Sequence, residues 1–140
     1  MNAAAPRIFY VEDNPGDVLL VKTALREIGH LAEIDTAKDG DQAMERLRLL
    51  ASSSGIEPPR LILLDLNLPR TSGLDLLGFI RSQPALSGIP TVILTSSDAP
   101  RDRARCAELG GTDYFVKPSL YDGYVTLARR LEPLLEGHAG

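Results

Sequence analysis

Four short stretches of this 140-residue chain end in groups suited to handling a charged ligand. "YVEDN" carries Glu12 and Asp13, "LLDLNLP" carries Asp65, "ILTSS" carries Thr95, and "DYFVKP" carries Lys117. In an open parallel α/β sheet, sites form outside the carboxyl ends of the strands. If each stretch is a strand of such a sheet, these residues converge on one edge. Three carboxylates brought together repel one another, and at least one would have its pKa raised. A divalent cation relieves that repulsion, and an all-oxygen donor set favours Mg²⁺, or Mn²⁺, over zinc. Lys117 adds a positive point charge and Thr95 a hydroxyl. A carboxylate surrounded by metal, ammonium and hydroxyl is equipped for phosphoryl transfer, with Asp65 as the nucleophile.

Singly, each residue has a plainer reading. A strand-terminal Asp is most often a cap or turn former, Glu12-Asp13 a solvated loop, Thr95 a β-branched strand residue, and Lys117 a surface lysine. The argument lies in all four strand ends carrying complementary groups, so the elements must be read next. Strands are expected at Arg7 to Glu12, Ala32 to Thr36, Leu61 to Asp65, Thr91 to Ser96 and Asp113 to Lys117. The first, third and fourth are nearly continuous apolar runs, as in strands covered on both faces. Helix starts follow: Asn14 before Pro15, Asp39 with Gln42 at capping-box spacing, Ser72 before Asp75, and Ser97 or Asp98 before Pro100. Gly29 and the Gly110-Gly111 pair mark helix stops. "SSSGIEPPR" reads as a surface loop. Repeated βα units imply right-handed crossovers and helices on both faces of one sheet, a doubly wound α/β fold.

Composition narrows the class. A net charge of -4 and a pI near 5.1 argue against nucleic acid, which expects a basic face. No apolar run approaches the ~20 residues of a membrane span, and "MNAAAPR" lacks the features of a secretory signal. Cys106 is the only cysteine, so an internal disulfide is excluded and a reducing, cytoplasmic compartment is expected. His30 and His138 are far apart in sequence and do not suggest a metal site.

With these residues in place, the chain resembles the receiver domain of two-component response regulators over nearly its whole length. The resemblance implies a flavodoxin-like five-stranded sheet in the order 2-1-3-4-5, with one receiver domain across 1–140 and no output domain. It implies Asp65 as phosphoacceptor, and Glu12 and Asp13 as metal-holding acids. Asn67 is expected to offer its backbone carbonyl to the metal, and Lys117 to partner the phosphate. Thr95 and Tyr114 are the implied switch pair, Asn67 and Ser97 tune the lifetime, and Pro118 implies a cis Lys117-Pro118 bond. The partner is then a sensor histidine kinase, and the protein a signalling phosphoacceptor that catalyses only its own Mg-dependent phosphorylation and dephosphorylation. "VEDNPGDVLLVKTALRE" resembles the stand-alone regulators that accompany bacterial phytochrome kinases.

Three rivals share parts of the pattern. An aspartate-nucleophile phosphatase of the haloacid dehalogenase type needs a second acid where this chain has Asn67. A flavodoxin needs a hydroxyl- and glycine-rich phosphate loop where this chain has acidic "EDNPGD". A receiver-like module that signals by binding alone would be expected to lack a site group, and none is missing. In the last helix Leu120, Tyr124, Leu127, Leu131 and Leu134 form a stripe that Tyr121, Val125, Ala128 and Leu135 widen. It reads equally as a buried helix or as a homodimer seam shared with the fourth helix or fifth strand. Pro133 is expected to kink or end that helix. Arg101, Arg103 and Arg105 are expected on a solvated helix face.

Overall fold

The computed structural model describes residues 5–52 and 55–136, which leaves His138 and part of the "SSSGIEPPR" loop outside the described residues. Strands and helices alternate: β1 (Arg7–Val11), α1 (Pro15–Glu27), β2 (Glu33–Ala37), α2 (Gly40–Ala51), β3 (Leu61–Leu64), α3 (Gly73–Ser82), β4 (Thr91–Thr95), α4 (Pro100–Glu108), β5 (Asp113–Val116) and α5 (Tyr121–Glu136). All strand pairs are parallel, and the sheet runs β2-β1-β3-β4-β5, as expected.

Alternate residues of each strand face opposite layers, which splits the apolar runs into two cores. Ile8, Tyr10, Leu61, Leu63, Val92 and Leu94 pack with Val21, Ala24 and Leu25 of α1 and with Tyr124, Leu127, Ala128, Leu131 and Leu135 of α5. Phe9, Val11, Ile62, Leu64 and Ile93 face the other way, onto α2, α3 and Cys106 of α4. The central strand β3 is buried along its length, and β4 likewise.

Local signals account for most helix starts. Asn14 Oδ1 accepts from the Gly16 amide at 2.8 Å, Asp39 Oδ1 from the Gln42 amide at 2.7 Å, and Ser72 Oγ from the Asp75 amide at 3.2 Å. The fourth helix differs from expectation. Its N-cap is Ala99, without a side-chain cap, because the Ser97 hydroxyl is engaged with Asp102 and accepts from the Ala99 amide. Gly29 and Gly110 adopt φ of 81° and 90°, conformations that suit glycine at helix ends.

α5 also departs from the sequence reading, since it continues through Pro133 to Glu136. Leu131 and Leu135 straddle the proline and are both buried, and Arg60 donates to the Leu135 carbonyl at 3.0 Å. Packing on either side outweighs the one backbone hydrogen bond that proline removes. The apolar stripe is used internally: five of its nine members are buried in the core, three more pack against it, and Leu120 alone is exposed. The core therefore accounts for the stripe's width without a second copy of the chain.

Close backbone approaches hold the loop after β3. A Cβ on Gly73 would lie 2.4 Å from the Asp65 carbonyl oxygen, and one on Gly40 would lie 1.7 Å from that of Thr71. Gly78, within the same helix as Gly73, has open space. Gly73→Ala is expected to cost about 2 kcal/mol in urea unfolding through overpacking. Gly78→Ala should gain about 0.4–1 kcal/mol by restricting the unfolded chain. Equal effects of the two substitutions would contradict the close approach.

Candidate functional site

The sheet ladder runs one residue past the strands. The Asp65 amide donates to the Val11 carbonyl at 3.1 Å, Glu12 to Ala37 at 3.0 Å, and Lys117 to Thr95 at 2.7 Å. These backbone bonds pin three of the predicted site residues at the carboxyl edge, where neighbouring strands end together. Glu12, Asp65 and Thr95 are buried there at 2%, 4% and 0% exposure, whereas Asp13 is exposed.

Lys117 is the centre of the cluster. Its ammonium lies 2.7 Å from Glu12 Oε1, 2.8 Å from Asp17 Oδ2 and 2.9 Å from Asp65 Oδ2. An ammonium has three N–H donors, so each carboxylate can take one. Asp65 uses its other oxygen to accept from the Asn67 amide at 3.0 Å. Glu12 also accepts from the Tyr10 hydroxyl and from the Asn14 amide, both at 3.3 Å. Thr95 Oγ1 has looser company: the Asn67 side-chain amide at 3.5 Å and the Ser97 amide at 3.4 Å.

Charge balance at the edge shows in the protonation of these groups. Burial, together with the nearby Asp65 carboxylate, pushes Glu12 up to about 7, although its hydrogen bond to Lys117 acts in the opposite sense. Burial works against the Lys117 ammonium, yet hydrogen bonds to Asp17, Glu12 and Asp65 outweigh it and hold the group firmly protonated, above the ordinary lysine value. Burial, reinforced by the charges of Glu12 and Asp17, keeps the Tyr10 phenol protonated.

Glu12, Asp13 and Asp65 each present a carboxylate oxygen, and these atoms lie within 4.8 Å of one another. Three hard oxygen donors with no histidine or thiolate match a divalent ion of the Mg²⁺ or Mn²⁺ type. A cleft of about 280 Å³ adjoins them, lined by Glu12, Asp13, Pro15, Val18, Thr36 and Lys38.

Tyr114 lies in the edge strand, and its hydroxyl donates to the Ser97 carbonyl at 2.8 Å. The Arg103 guanidinium covers its ring at 4.6 Å from the centroid, so one arginine of the fourth helix has a contact that sequence spacing did not show. Thr95, Ser97 and Tyr114 are thus joined through the loop after β4. The predicted cis bond at Pro118 is absent: among the described residues no peptide bond is cis. Trans is the lower-energy isomer of an X–Pro bond by about 0.5–1 kcal/mol, and the trans turn seats Pro118 against Gly123, where a Cβ would meet the proline ring at 2.4 Å.

Sequence reasoning missed Asp17. It sits in the first turn of α1, 100 residues from the lysine it binds. The only available signal was its place one turn after the acidic pair, which is equally common in helices that merely favour acid near the N-terminus. His30 was dismissed as isolated, yet α1 and α5 bring it within 4.8 Å of Glu132 and Glu136, ligand atom to ligand atom.

The raised Glu12 fixes a pH dependence. Between the ordinary value of 4.5 and about 7 the folded protein holds a proton that the unfolded chain has released. Glu12's contribution to stability is therefore fully present below that window and is lost as pH rises through it. Glu12→Gln is expected to flatten this part of the profile in urea unfolding with a chelator present. An unchanged slope would show that another group carries the proton.

Residues 8–127 match the response regulator receiver domain family. The chain is 33% identical over 129 residues to the probable methanogenesis regulatory protein FilR2 of Methanothrix harundinacea, covering 92% of this chain and 81% of that protein. It is 36% identical over 110 residues to the response regulator Rcp1 of Synechocystis, covering 79% and 75%. Among solved structures, the phosphorylated cyanobacterial phytochrome response regulator RcpA superposes with a TM-score of 0.84 at 34% identity over 98% of both chains. The Mn²⁺-bound form of Rcp1 gives 0.82 at 32% identity, covering 96% of this chain and 97% of that one. The match spans about half the length of several other curated relatives. A doubly wound sheet in this strand order, a carboxyl edge built from acids and one lysine, and a family match over most of the sequence lead to one conclusion: the chain belongs to the response regulator receiver family of two-component signalling.

Proposed function

We propose that Asp65 is the phosphoacceptor of a two-component relay, taking a phosphoryl group from a phosphohistidine of a sensor histidine kinase. One observation carries the reading: a buried Asp65, held by backbone bonds at the sheet edge, touches the Lys117 ammonium at 2.9 Å beside Glu12 and Asp13. A carboxylate oxygen of Asp65 attacks phosphorus in line with the P–N bond. That bond breaks with its electron pair left on the imidazole nitrogen, and an acyl phosphate results. A divalent cation held by Glu12, Asp13, Asp65 and the Asn67 carbonyl would supply positive charge against the phosphoryl oxygens, and the Mn²⁺-bound form of Rcp1 supports Mg²⁺ or Mn²⁺ in that place. Lys117 neutralises part of the same charge. Asn67 and Ser97 flank the site and govern access of the water that later hydrolyses the acyl phosphate.

Switching follows from the looser contacts. Thr95 Oγ1 accepts both of these long hydrogen bonds, from the Asn67 side chain and the Ser97 amide, so its own O–H is available to donate to a phosphoryl oxygen. Movement of Thr95 carries the Ser97 loop, to which Tyr114 is bonded, and reaches α4, which has only Cys106 buried. Inverting a two-state population from 1:99 to 99:1 takes about 5.5 kcal/mol, within reach of a few charge-assisted hydrogen bonds at about 1.5–3 kcal/mol each. The output is then a changed α4-β5-α5 face offered to a protein partner. The acidic net charge supports a protein target over DNA. The likeness to RcpA, together with the "VEDNPGD" stretch, supports a bacteriophytochrome as the kinase. Among the described residues no helix is long and apolar enough to cross a membrane.

With a cognate kinase or acetyl phosphate, the protein is expected to take up label in Mg²⁺ and to lose that ability in chelator. Asp65→Asn should abolish uptake, and Lys117→Ala should slow it by roughly 10²-fold. Normal labelling of the Asp65 variant would overturn the assignment. An unlabelled wild type that also fails to respond to beryllofluoride would favour the inert binding module.

A further inference from the structure

We infer that Asp17 is a positioning residue that keeps one N–H of Lys117 away from the phosphoryl group and thereby weakens the phosphorylated state. The inference rests on the phosphoacceptor reading above. All three acceptors of the Lys117 ammonium are carboxylates, at 2.7, 2.8 and 2.9 Å. Of these, Glu12 and Asp65 belong to the group that can gather a cation, and Asp17 does not. When cation and phosphoryl group arrive, Glu12 and Asp65 have new partners for their charge. Among the described residues, the partner of the Asp17 carboxylate is Lys117.

Two consequences follow. The ammonium has three donors, and the one held by Asp17 is unavailable to a phosphoryl oxygen. Asp17 also adds a further negative charge beside the acids at the sheet edge, one that a cation held by Glu12, Asp13 and Asp65 does not take up, and so repels an incoming anion. Its side chain is 20% exposed and that of Lys117 16%, so solvent screens the pair only in part. Asp17 stands on the first turn of α1, a helix anchored by Val21, Ala24 and Leu25, so the holding arm is fixed to the fold and does not retire with the chemistry.

The test is beryllofluoride affinity at saturating Mg²⁺, followed by amide chemical shifts of the full chain. Wild-type protein should bind, and failure there would remove the phosphoacceptor reading itself. Asp17→Asn, nearly isosteric and uncharged, should bind beryllofluoride roughly three- to tenfold tighter, the effect of removing one nearby partly screened charge. Asp17→Glu restores the charge and should bring affinity back toward wild type. In the beryllofluoride-free protein, Asp17→Asn should also shift the Lys117 ammonium nitrogen resonance and speed its proton exchange, a change that a merely helix-stabilising aspartate would not cause. Should the asparagine variant fold poorly, Asp17→Ala serves for the same measurement. Unchanged or weaker beryllofluoride binding in a folded variant, with wild type binding normally, would overturn the role of Asp17.

Discussion

The Lys117 ammonium is what allows the carboxyl edge of this sheet to exist in the folded state. Glu12 and Asp65 are buried carboxylates whose strands end side by side, and Asp17 leans in from α1. Buried charges of one sign are costly unless paired. One ammonium with three N–H groups pairs with all three acids, and the remaining negative charge makes the site receptive to a divalent cation. The same imbalance that burdens the fold therefore prepares the edge for that cation.

Placement of these groups depends on the sheet more than on the loops. Backbone bonds continuing one residue past β1, β3 and β5 hold Glu12, Asp65 and Lys117 in register, while the apolar residues before each anchor their strands between two layers of helices. On the far side, α3 begins almost in contact with the Asp65 backbone, and only glycine fits at position 73. The loop between them carries Arg70 at a φ of 70°, the only non-glycine residue with positive φ among those described, and its side chain reaches Asp39 and Asp41 at the start of α2. Asp65 is thus confined from both sides, whereas α4, with one buried residue, is held lightly. Firm seating of Asp65 and light packing of α4 are properties of one packing pattern.

Strand-forming runs, the starts of the first three helices and the grouping of Glu12, Asp13, Asp65, Thr95 and Lys117 were legible from residue types and spacing. They were legible because a buried parallel strand is a continuous apolar run and its end is marked by the first polar residue. The fourth helix start was misread because Ser97 has the composition of a cap but spends its hydroxyl on Asp102 and the Ala99 amide. Pro133 was read as a kink or a stop because it removes a backbone donor, while burial of Leu131 and Leu135 on both sides carries α5 onward. The broad apolar stripe of α5 read equally as core or as a seam between chains, and the packing of α5 places eight of its nine residues in or against the core.

What the sequence determined by itself is the inventory and the topology: alternating apolar runs and amphipathic segments admit few arrangements besides a doubly wound sheet, and such a sheet must deliver its strand ends to one edge. What only the tertiary structure decided is which groups touch. Asp17 joined the site because α1 packs with that face toward Lys117, and Tyr114 found Ser97 and Arg103 because β5 lies beside α4. The Lys117–Pro118 bond is trans where resemblance implied cis. Periodicity is local and therefore readable along the chain. Contacts between elements depend on helix rotation and loop path, which the packing of the two cores sets together.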